Sequence, residues 1–269
     1  MCLLFYDMSH PLKIAIIPYD IAWGDKDENL LSIGEKLRRV ESDTDIVVLP
    51  EMFTTGVLND PAMVANLAET NQERTMMALC RLASFFNFAI CGSFLATTSG
   101  NYYNRAFFVE PSGEVTYYDK KHLFTVGGED ALFSAGDQQS EIIRYRGWNI
   151  SLAVCYDLRF PVWNRNVNNR YDIKIFVANW PSSRSYAWQH LLIARAIENQ
   201  SYVVGANRVG GDDYGTYSID DSMCIDYLGK IISEKSADNI LYSVADYEKL
   251  MSFRRKFPVW KDADVFSLD

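Results

Sequence analysis

The alternation of two hydrophobic periods along the chain restricts its fold more than any other feature. Short apolar runs typical of strands, such as 12–18 and 45–50, come before longer runs with apolar residues three or four apart, such as 27–41. The same succession returns where the run 173–180 precedes a helical pattern over 185–200. Strands that alternate with helices bury their apolar faces by packing sheets against helical layers. The pattern therefore predicts an α/β fold with one mixed sheet, or two sheets, between helical layers.

Several other segments fit the same interpretation. Two more helices are predicted over 71–87 and 160–169. Further strands are predicted over 88–94, 102–110, 114–120, 140–145, 149–154 and 201–209, followed by strands in a turn-rich tail. We find no repeat, no low-complexity segment and no linker rich in Pro, Gly or Ser, so we expect a single domain.

The charge of the chain argues against two classes of partner. Its 26 Lys and Arg and 35 Asp and Glu among 269 residues give a net charge of −9, and no basic run occurs. Nucleic acids and anionic membranes both require clustered basic residues, so neither is expected as a partner. The apolar start of the chain is too short for a secretory signal or a membrane span, and no later run has 18 uncharged apolar residues.

The cysteines indicate a reducing compartment. There are five, an odd number, widely scattered and without a CxxC pair: Cys2, Cys80, Cys91, Cys155 and Cys224. This distribution is typical of reduced thiols and not of a disulfide framework, so we expect a cytoplasmic protein. The three histidines stand in no metal-ligand spacing with the cysteines, so no zinc site is expected.

Three reactive side chains stand where predicted strands end. Glu51 follows "IVVLP", Lys120 closes "VTYYDK" and Cys155 closes "ISLAV". Each residue alone has a simpler explanation, as a capping carboxylate, a solvated lysine or a core cysteine. Strand ends are, however, where α/β sheets present groups to ligands. The recurrence of the pattern therefore suggests one site built from all three.

Together these residues suffice for acyl transfer without histidine. A cysteine at its free pKa is only about a few per cent thiolate at neutral pH, so it needs a base or a nearby cation. Glu51 could take the thiol proton, and the Lys120 ammonium could stabilise the thiolate and the oxyanion formed after attack. A rival scheme pairs Cys155 with His122 or His190, as in papain-like proteases. A second rival is a scaffold that has kept an enzyme fold without activity.

Three segments resemble the signature segments of the nitrilase, or carbon–nitrogen hydrolase, superfamily. They are "LPEMFTTG", "YDKKHLF" and "CYDLRFPVW", in the family's order. The resemblance implies a four-layer α-β-β-α sandwich that dimerises through the layer carrying the nucleophile. It covers residues 12–248, the carbon–nitrogen hydrolase domain, and leaves 1–11 as an N-terminal extension and 249–269 as a C-terminal arm. The aromatic residues of this arm suggest that it packs on something, such as a second subunit.

The same resemblance implies roles for individual residues. Glu51 is expected to be the general base, Lys120 the oxyanion stabiliser and Cys155 the nucleophile. Glu129 best matches the family's second glutamate, which holds the lysine and helps to orient water or substrate. The backbone N–H of Tyr156 is expected to join Lys120 in the oxyanion hole. This chemistry requires no metal and no organic cofactor.

Within the superfamily, "CYDLRFPVWNR" and "ANWPSSRSYAWQHLLIARAIENQ" look most like bacterial ω-amidases. Those enzymes hydrolyse the terminal amide of α-keto acid amides such as α-ketoglutaramate and release ammonia. The resemblance implies that Arg159 grips the substrate carboxylate, which a guanidinium can do with two parallel hydrogen bonds. The alternative is that Arg159 pairs with an internal acid such as Asp157 and only braces the turn. Trp180 is expected to form a pocket wall and Ser183 to supply a hydroxyl donor.

Other activities stay open at this stage. A small-molecule amide is the expected partner, but the substrate could also be deaminated glutathione, an N-carbamoyl amino acid or a nitrile. Arg195 and Glu198 fit a bracing pair three residues apart on a helix better than catalytic groups. A homodimer, or a higher homo-oligomer, is expected from the family.

Overall fold

The computed structural model describes residues 10–268; residues 1–9, with Cys2 and most of the predicted N-terminal extension, and residue 269 lie outside the described residues. The strands are β1 (Leu12–Ile16), β2 (Ile46–Val48), β3 (Ala89–Thr98), β4 (Asn101–Val109), β5 (Val115–Asp119), β6 (Ile143–Tyr145), β7 (Trp148–Val154), β8 (Ile173–Ala178), β9 (Tyr202–Asn207), β10 (Gly210–Asp212), β11 (Gly215–Tyr217), β12 (Met223–Ile225), β13 (Glu234–Lys235) and β14 (Leu241–Ala245). The α-helices are α1 (Lys26–Leu37), α2 (Pro61–Leu67), α3 (Arg74–Phe86), α4 (Ser185–Asn199) and α5 (Tyr247–Lys256).

The strands form two large sheets and one hairpin. The first sheet has seven strands in the order β13-β14-β1-β2-β3-β4-β5, and the second has five in the order β12-β9-β8-β7-β6. Each has a parallel centre, β1, β2 and β3 in the first and β7, β8 and β9 in the second. Antiparallel strands flank both centres, and β10 pairs with β11 outside the two sheets.

The central strands are apolar on both faces because each sheet is covered twice. In β2, Val48 packs into the core between the sheets, whereas Val47 faces the helical side with α1 and α3. In β7, Val154 lies in the same inter-sheet core, and Ala153 packs on the side of α4. Parallel strands that are buried on both faces have near-continuous apolar runs in their sequences, and β2 and β7 have such runs. The order of layers is therefore helix, sheet, sheet, helix, and the predicted four-layer sandwich is confirmed.

One predicted helix was wrong. The segment 160–169 contains no α-helix; a 3₁₀ turn over Cys155–Arg159 comes just before it, and another over Val167–Asn169 closes it. Asparagine side chains hold this segment in irregular conformations. Asn164 Nδ2 donates to the backbone oxygen of Asp157 at 2.6 Å, and Asn168 has a φ of 55°. Asparagine competes for backbone hydrogen bonds and tolerates the left-handed region, so it favours such loops over helix.

Three elements were not predicted: α2, the β10–β11 hairpin and α5. The helix α5 lies over the second sheet, where Leu250 is buried. Arg254 fastens it there, because its guanidinium donates to Asp172 Oδ1 at 2.6 Å and to the backbone oxygen of Gln200 at 2.9 Å. None of the helices in residues 10–268 is both long enough and apolar enough to cross a membrane.

Candidate active site

The ends of three strands from both sheets meet at one cavity. Glu51 and Lys120 follow β2 and β5 of the seven-stranded sheet, and Cys155 follows β7 of the five-stranded sheet. All three line a cavity of about 400 Å³, together with Glu129. The structure thus brings together side chains that are distant along the chain, with Glu51 and Cys155 104 positions apart.

The backbone turns sharply at Cys155. Its φ is 43°, in the left-handed region that costs a residue with a side chain about 1–2 kcal/mol. Neighbouring contacts hold the turn, since Asp157 Oδ2 accepts from the N–H of Val154 at 3.0 Å and Arg195 donates to the backbone oxygen of Leu158 at 2.7 Å. Strain maintained in this way is typical of functional positions.

Glu51 is buried, and both of its carboxylate oxygens accept hydrogen bonds. Oε1 accepts from Asn104 Nδ2 at 2.7 Å and from Lys120 Nζ at 3.2 Å. Oε2 accepts from the backbone N–H of Asn179 at 2.7 Å. Asn179 follows β8, so this contact fixes the acid from the opposite sheet. Ser93 Oγ donates to Asn104 Oδ1 at 2.8 Å, which orients the amide toward Glu51.

Lys120 is held between two carboxylates. Its Nζ lies 2.8 Å from each oxygen of Glu129 and 3.2 Å from Glu51 Oε1. Burial opposes the charge of the ammonium, but the carboxylates of Glu129 and Glu51 outweigh it and raise the pKa of Lys120 above its ordinary value. The lysine is therefore a fixed cation at neutral pH, able to stabilise negative charge that develops in the cavity.

A glycine is required beside the lysine. The N–H of Gly136 donates to the backbone oxygen of Lys120 at 2.9 Å. A Cβ atom at this glycine would lie 2.2 Å from the backbone oxygen of Asp119, closer than any side chain can approach. The close approach of the two backbones therefore depends on the missing side chain and fixes the end of β5.

The Cys155 thiol is protonated at rest. Burial and the Glu51 carboxylate raise the pKa of Cys155 well above its ordinary value, while the Lys120 ammonium opposes this increase and Glu129 adds to it. The Glu51 carboxylate lines the same cavity as the thiol, so a base is available to the group that must lose its proton. A protonated thiol of this kind reacts when its proton is removed as the sulfur attacks.

A buried aspartate connects the lysine segment to the cysteine turn. Asp157 Oδ1 accepts from the N–H of His122 at 2.9 Å, and His122 Nδ1 lies 2.7 Å from the same oxygen. Its Oδ2 accepts from Tyr118 Oη at 2.8 Å as well as from the N–H of Val154. Asp157 thus links the residues on either side of Lys120 to the strand end that carries Cys155.

The other predicted site residues are distributed unevenly. Tyr156, Arg159 and Trp180 line the cavity, whereas Ser183 is exposed on the neighbouring turn and is not among the lining residues. The guanidinium of Arg159 stacks 4.9 Å from the centre of the Trp180 ring. The alternative ion pair with Asp157 was wrong, because the oxygens of that aspartate bind other partners and Arg159 faces the cavity instead.

The predicted brace on α4 is confirmed. Arg195 donates to Glu198 Oε1 at 2.9 Å, three residues further along the helix. Neither residue lines the cavity.

Sequence reasoning missed several residues of the site. Asn104 and Tyr214 gave no signal, because each stands in a strand or turn of ordinary composition, whereas Phe124 and Arg184 lie in segments that resemble the family but were not singled out. Asn179 could have been found, since it is a polar residue at the end of an apolar strand like Glu51 and Cys155. Among residues 10–268, no group of three His, Cys, Asp or Glu side chains is placed to hold a metal ion.

Comparisons with known proteins agree on one family. The model of the carbon-nitrogen hydrolase family matches residues 13–255. The omega-amidase YafV of Escherichia coli K12 is 42% identical over 259 residues, which cover 96% of this chain and 98% of that protein. A 2-oxoglutaramate amidase of Bacillus subtilis is 30% identical over 253 residues, 93% of this chain and 96% of that protein.

A solved structure gives the same result. XC1258 from Xanthomonas campestris, a CN-hydrolase superfamily protein with an arsenic adduct in its active site, superposes with a TM-score of 0.90 at 35% identity. The match covers 97% of this chain and all of that one. Since the family model spans most of the chain and these relatives align over nearly its whole length, the chain belongs to the carbon-nitrogen hydrolase family.

Proposed function

We propose that this chain is a cysteine-dependent amidohydrolase of the ω-amidase type. It cleaves the terminal amide of a small substrate that carries a carboxylate, such as α-ketoglutaramate, and yields the free acid and ammonia through a thioester. The observation that carries the proposal is the convergence of Glu51, Lys120 and Cys155 on one cavity, with the Lys120 ammonium 3.2 Å from the acid. The names of the relatives from Escherichia coli and Bacillus subtilis support the choice of substrate.

The proposed cycle uses only side chains and backbone of the cavity. Glu51 takes the proton from Cys155 as the sulfur attacks the amide carbon. Lys120 and the backbone N–H of Tyr156 hold the oxyanion, and the C–N bond breaks as Glu51 returns the proton to the departing ammonia. Glu51 then activates a water that hydrolyses the thioester and releases the free thiol. Glu129 holds the ammonium of Lys120 with two hydrogen bonds of 2.8 Å throughout.

The decisive experiment replaces the sulfur. Cys155→Ala is expected to remove ammonia release from α-ketoglutaramate while the protein stays folded, because no other cysteine and no serine or threonine is among the described residues that line the cavity. Cys80→Ala is the matched control, since Cys80 is also a free, half-buried cysteine but lies on α3 away from the cavity. A folded Cys155→Ala protein with near-normal activity would refute the nucleophile.

Substrate preference tests the rest of the proposal. Initial rates of ammonia release are compared for α-ketoglutaramate, glutamine, an N-carbamoyl amino acid, deaminated glutathione and simple nitriles. The keto-amide is expected to have the highest kcat/KM. Preference for a nitrile or a carbamoyl compound would replace the ω-amidase proposal with one of those activities.

The cysteine–histidine scheme finds no support in the geometry. His122 is bound to Asp157, and the exposed His190 contacts the backbone oxygen of Tyr186; neither lines the cavity. His122→Ala and His190→Ala should therefore keep an unshifted pH dependence of kcat. The loss of all activity in either folded variant, with recovery by added imidazole, would favour that scheme.

We also propose a homodimer in the cytoplasm. Tyr186 and Ile197 are exposed on α4, and Ile197 lies close to Gly229, which follows the exposed Leu228. An exposed apolar patch around Ile197 is typical of an interface between subunits. Light scattering should show that Ile197→Glu shifts the dimer toward monomer, whereas Leu31→Glu on α1 does not. The free thiols Cys80, Cys91, Cys155 and Cys224 support a reducing compartment, which fractionation of cells tests.

A further inference from the structure

Two arginines of the cavity wall have no acidic partner. The guanidinium groups of Arg159 and Arg184 make no ion pair with a described residue, although the chain carries a net charge of −9. Each instead lies over an aromatic ring that lines the same cavity. Arg159 stacks on Trp180 at 4.9 Å, and Arg184 lies 5.3 Å from the centre of the Phe124 ring. Their hydrogen-bond donors are therefore available to a ligand.

Arg184 is tied to both walls of the cavity. Its backbone oxygen accepts from Trp180 Nε1 at 2.9 Å, so the tryptophan that carries Arg159 also fixes the main chain of Arg184. On the other side, the ring of Phe124 packs edge-on against Tyr156 at 5.1 Å, next to the nucleophile. The backbone N–H of Phe124 donates to Glu129 at 2.6 Å. Arg184 is thus one aromatic ring away from the residue after Cys155.

The charges lining the cavity are unbalanced. Glu51 and Glu129 are the lining carboxylates, and both bind Lys120. With Cys155 as a neutral thiol, the three cations Lys120, Arg159 and Arg184 exceed the two carboxylates by one positive charge. A substrate with one negative charge neutralises the cavity, whereas an ammonium group would find only carboxylates that already bind a lysine.

We infer that Arg184 is a second carboxylate-contacting residue, which acts with Arg159 to select anionic amides over uncharged and zwitterionic ones. This inference rests on the proposed ω-amidase function and adds a specificity residue to it. A carboxylate has enough lone pairs to accept from two guanidinium groups, and charged hydrogen bonds are the strong ones.

Three amides of the same chain length test the inference: α-ketoglutaramate, glutamine and pentanamide. Arg184→Gln should raise KM for α-ketoglutaramate about 10-fold, the loss of one charged hydrogen bond, with kcat within about twofold. The kcat/KM for uncharged pentanamide should stay within about twofold. The preference for α-ketoglutaramate over glutamine should fall, because removing a cation favours the ammonium. Arg184→Lys should recover part of the loss. Arg81→Gln, an exposed arginine on α3 outside the cavity, should change none of these values.

Each outcome decides one question. An equal decrease in kcat/KM for all three amides would mean that Arg184 supports the Phe124 wall and does not distinguish substrates by charge. An unchanged kcat/KM for every amide would overturn the inference as well. The ranking of substrates by the unmodified enzyme reports separately on the proposed function. The change in the ratio of charged to uncharged amides reports on Arg184, whichever amide that enzyme prefers.

Discussion

Glu129→Gln keeps the shape of the side chain and removes its charge. The two oxygens of Glu129 accept three hydrogen bonds, two from Lys120 Nζ at 2.8 Å and one from the N–H of Phe124 at 2.6 Å. A glutamine offers one acceptor oxygen and one NH₂ group, which must then face a donor. At least one charged hydrogen bond is lost, and that bond contributes about 1.5–3 kcal/mol.

The expected effect is on the chemical step. A loss of 1.36 kcal/mol is tenfold in rate, so kcat should fall by about 10- to 100-fold. A further decrease follows if the released ammonium moves closer to Glu51 and weakens the base. KM should change little, since the oxygens of Glu129 bind Lys120 and Phe124, whereas the proposed contacts to the substrate carboxylate belong to the arginines.

Steady-state ammonia release from α-ketoglutaramate measures both constants, and urea unfolding measures the stability of the variant. Glu35→Gln is the matched control, because this glutamate is exposed on α1. A folded Glu129→Gln enzyme that keeps more than a third of its kcat would show that the lysine does not depend on its second carboxylate.

Three more predictions follow from the contacts. Glu51→Gln should abolish hydrolysis yet speed alkylation of Cys155 by iodoacetamide at neutral pH, because the carboxylate that raises the pKa of the thiol is gone; slower alkylation, followed by mass spectrometry, contradicts this. Asp157→Asn should lower kcat more than about tenfold. The oxygens of Asp157 accept hydrogen bonds from His122, Tyr118 and Val154, and the substitution replaces one of these acceptors with an NH₂ donor. A variant with unchanged kcat and unchanged unfolding midpoint would show that Asp157 does not connect the lysine segment to the cysteine turn. Arg254→Met should destabilise the fold by about 3–5 kcal/mol in urea unfolding, because it leaves Asp172 buried without its partner. Burial already raises the pKa of Asp172, so the folded state binds its proton more readily than the unfolded chain, and the deficit of the variant should shrink as the pH is lowered.

The sequence predicted the layers better than the loops. Strands such as β2 and β7 are buried on both faces, so they can be recognised in the sequence as apolar runs. The predictions of a four-layer sandwich and of the family were both confirmed. The predicted helix over 160–169 failed because Asn164 and its neighbours take up backbone hydrogen bonds through their side chains. No local sequence pattern predicts whether an asparagine side chain will bind the backbone in this way.

Some residues of the site could likewise be predicted from the sequence, and others could not. Glu51, Lys120 and Cys155 could be found because each ends a strand, which is where α/β sheets present groups to ligands. Asn104 gave no signal, since a polar residue within a strand has many explanations until its partner is known. Arg184 is recognised only through the ring beneath it and the lack of an acid nearby. Contacts of this kind join distant parts of the chain and cannot be read from spacing.

The division of the reactive groups between two sheets has a consequence for the whole molecule. The acid and the amine belong to one half of the chain and the sulfur to the other, so neither half holds a complete reaction centre. Catalysis then depends on how two stacked surfaces sit on one another, to within fractions of an ångström. Substitutions far from the cavity that shift one sheet relative to the other would abolish activity while leaving every strand intact. The turnover rate would then report on the alignment of the two sheets.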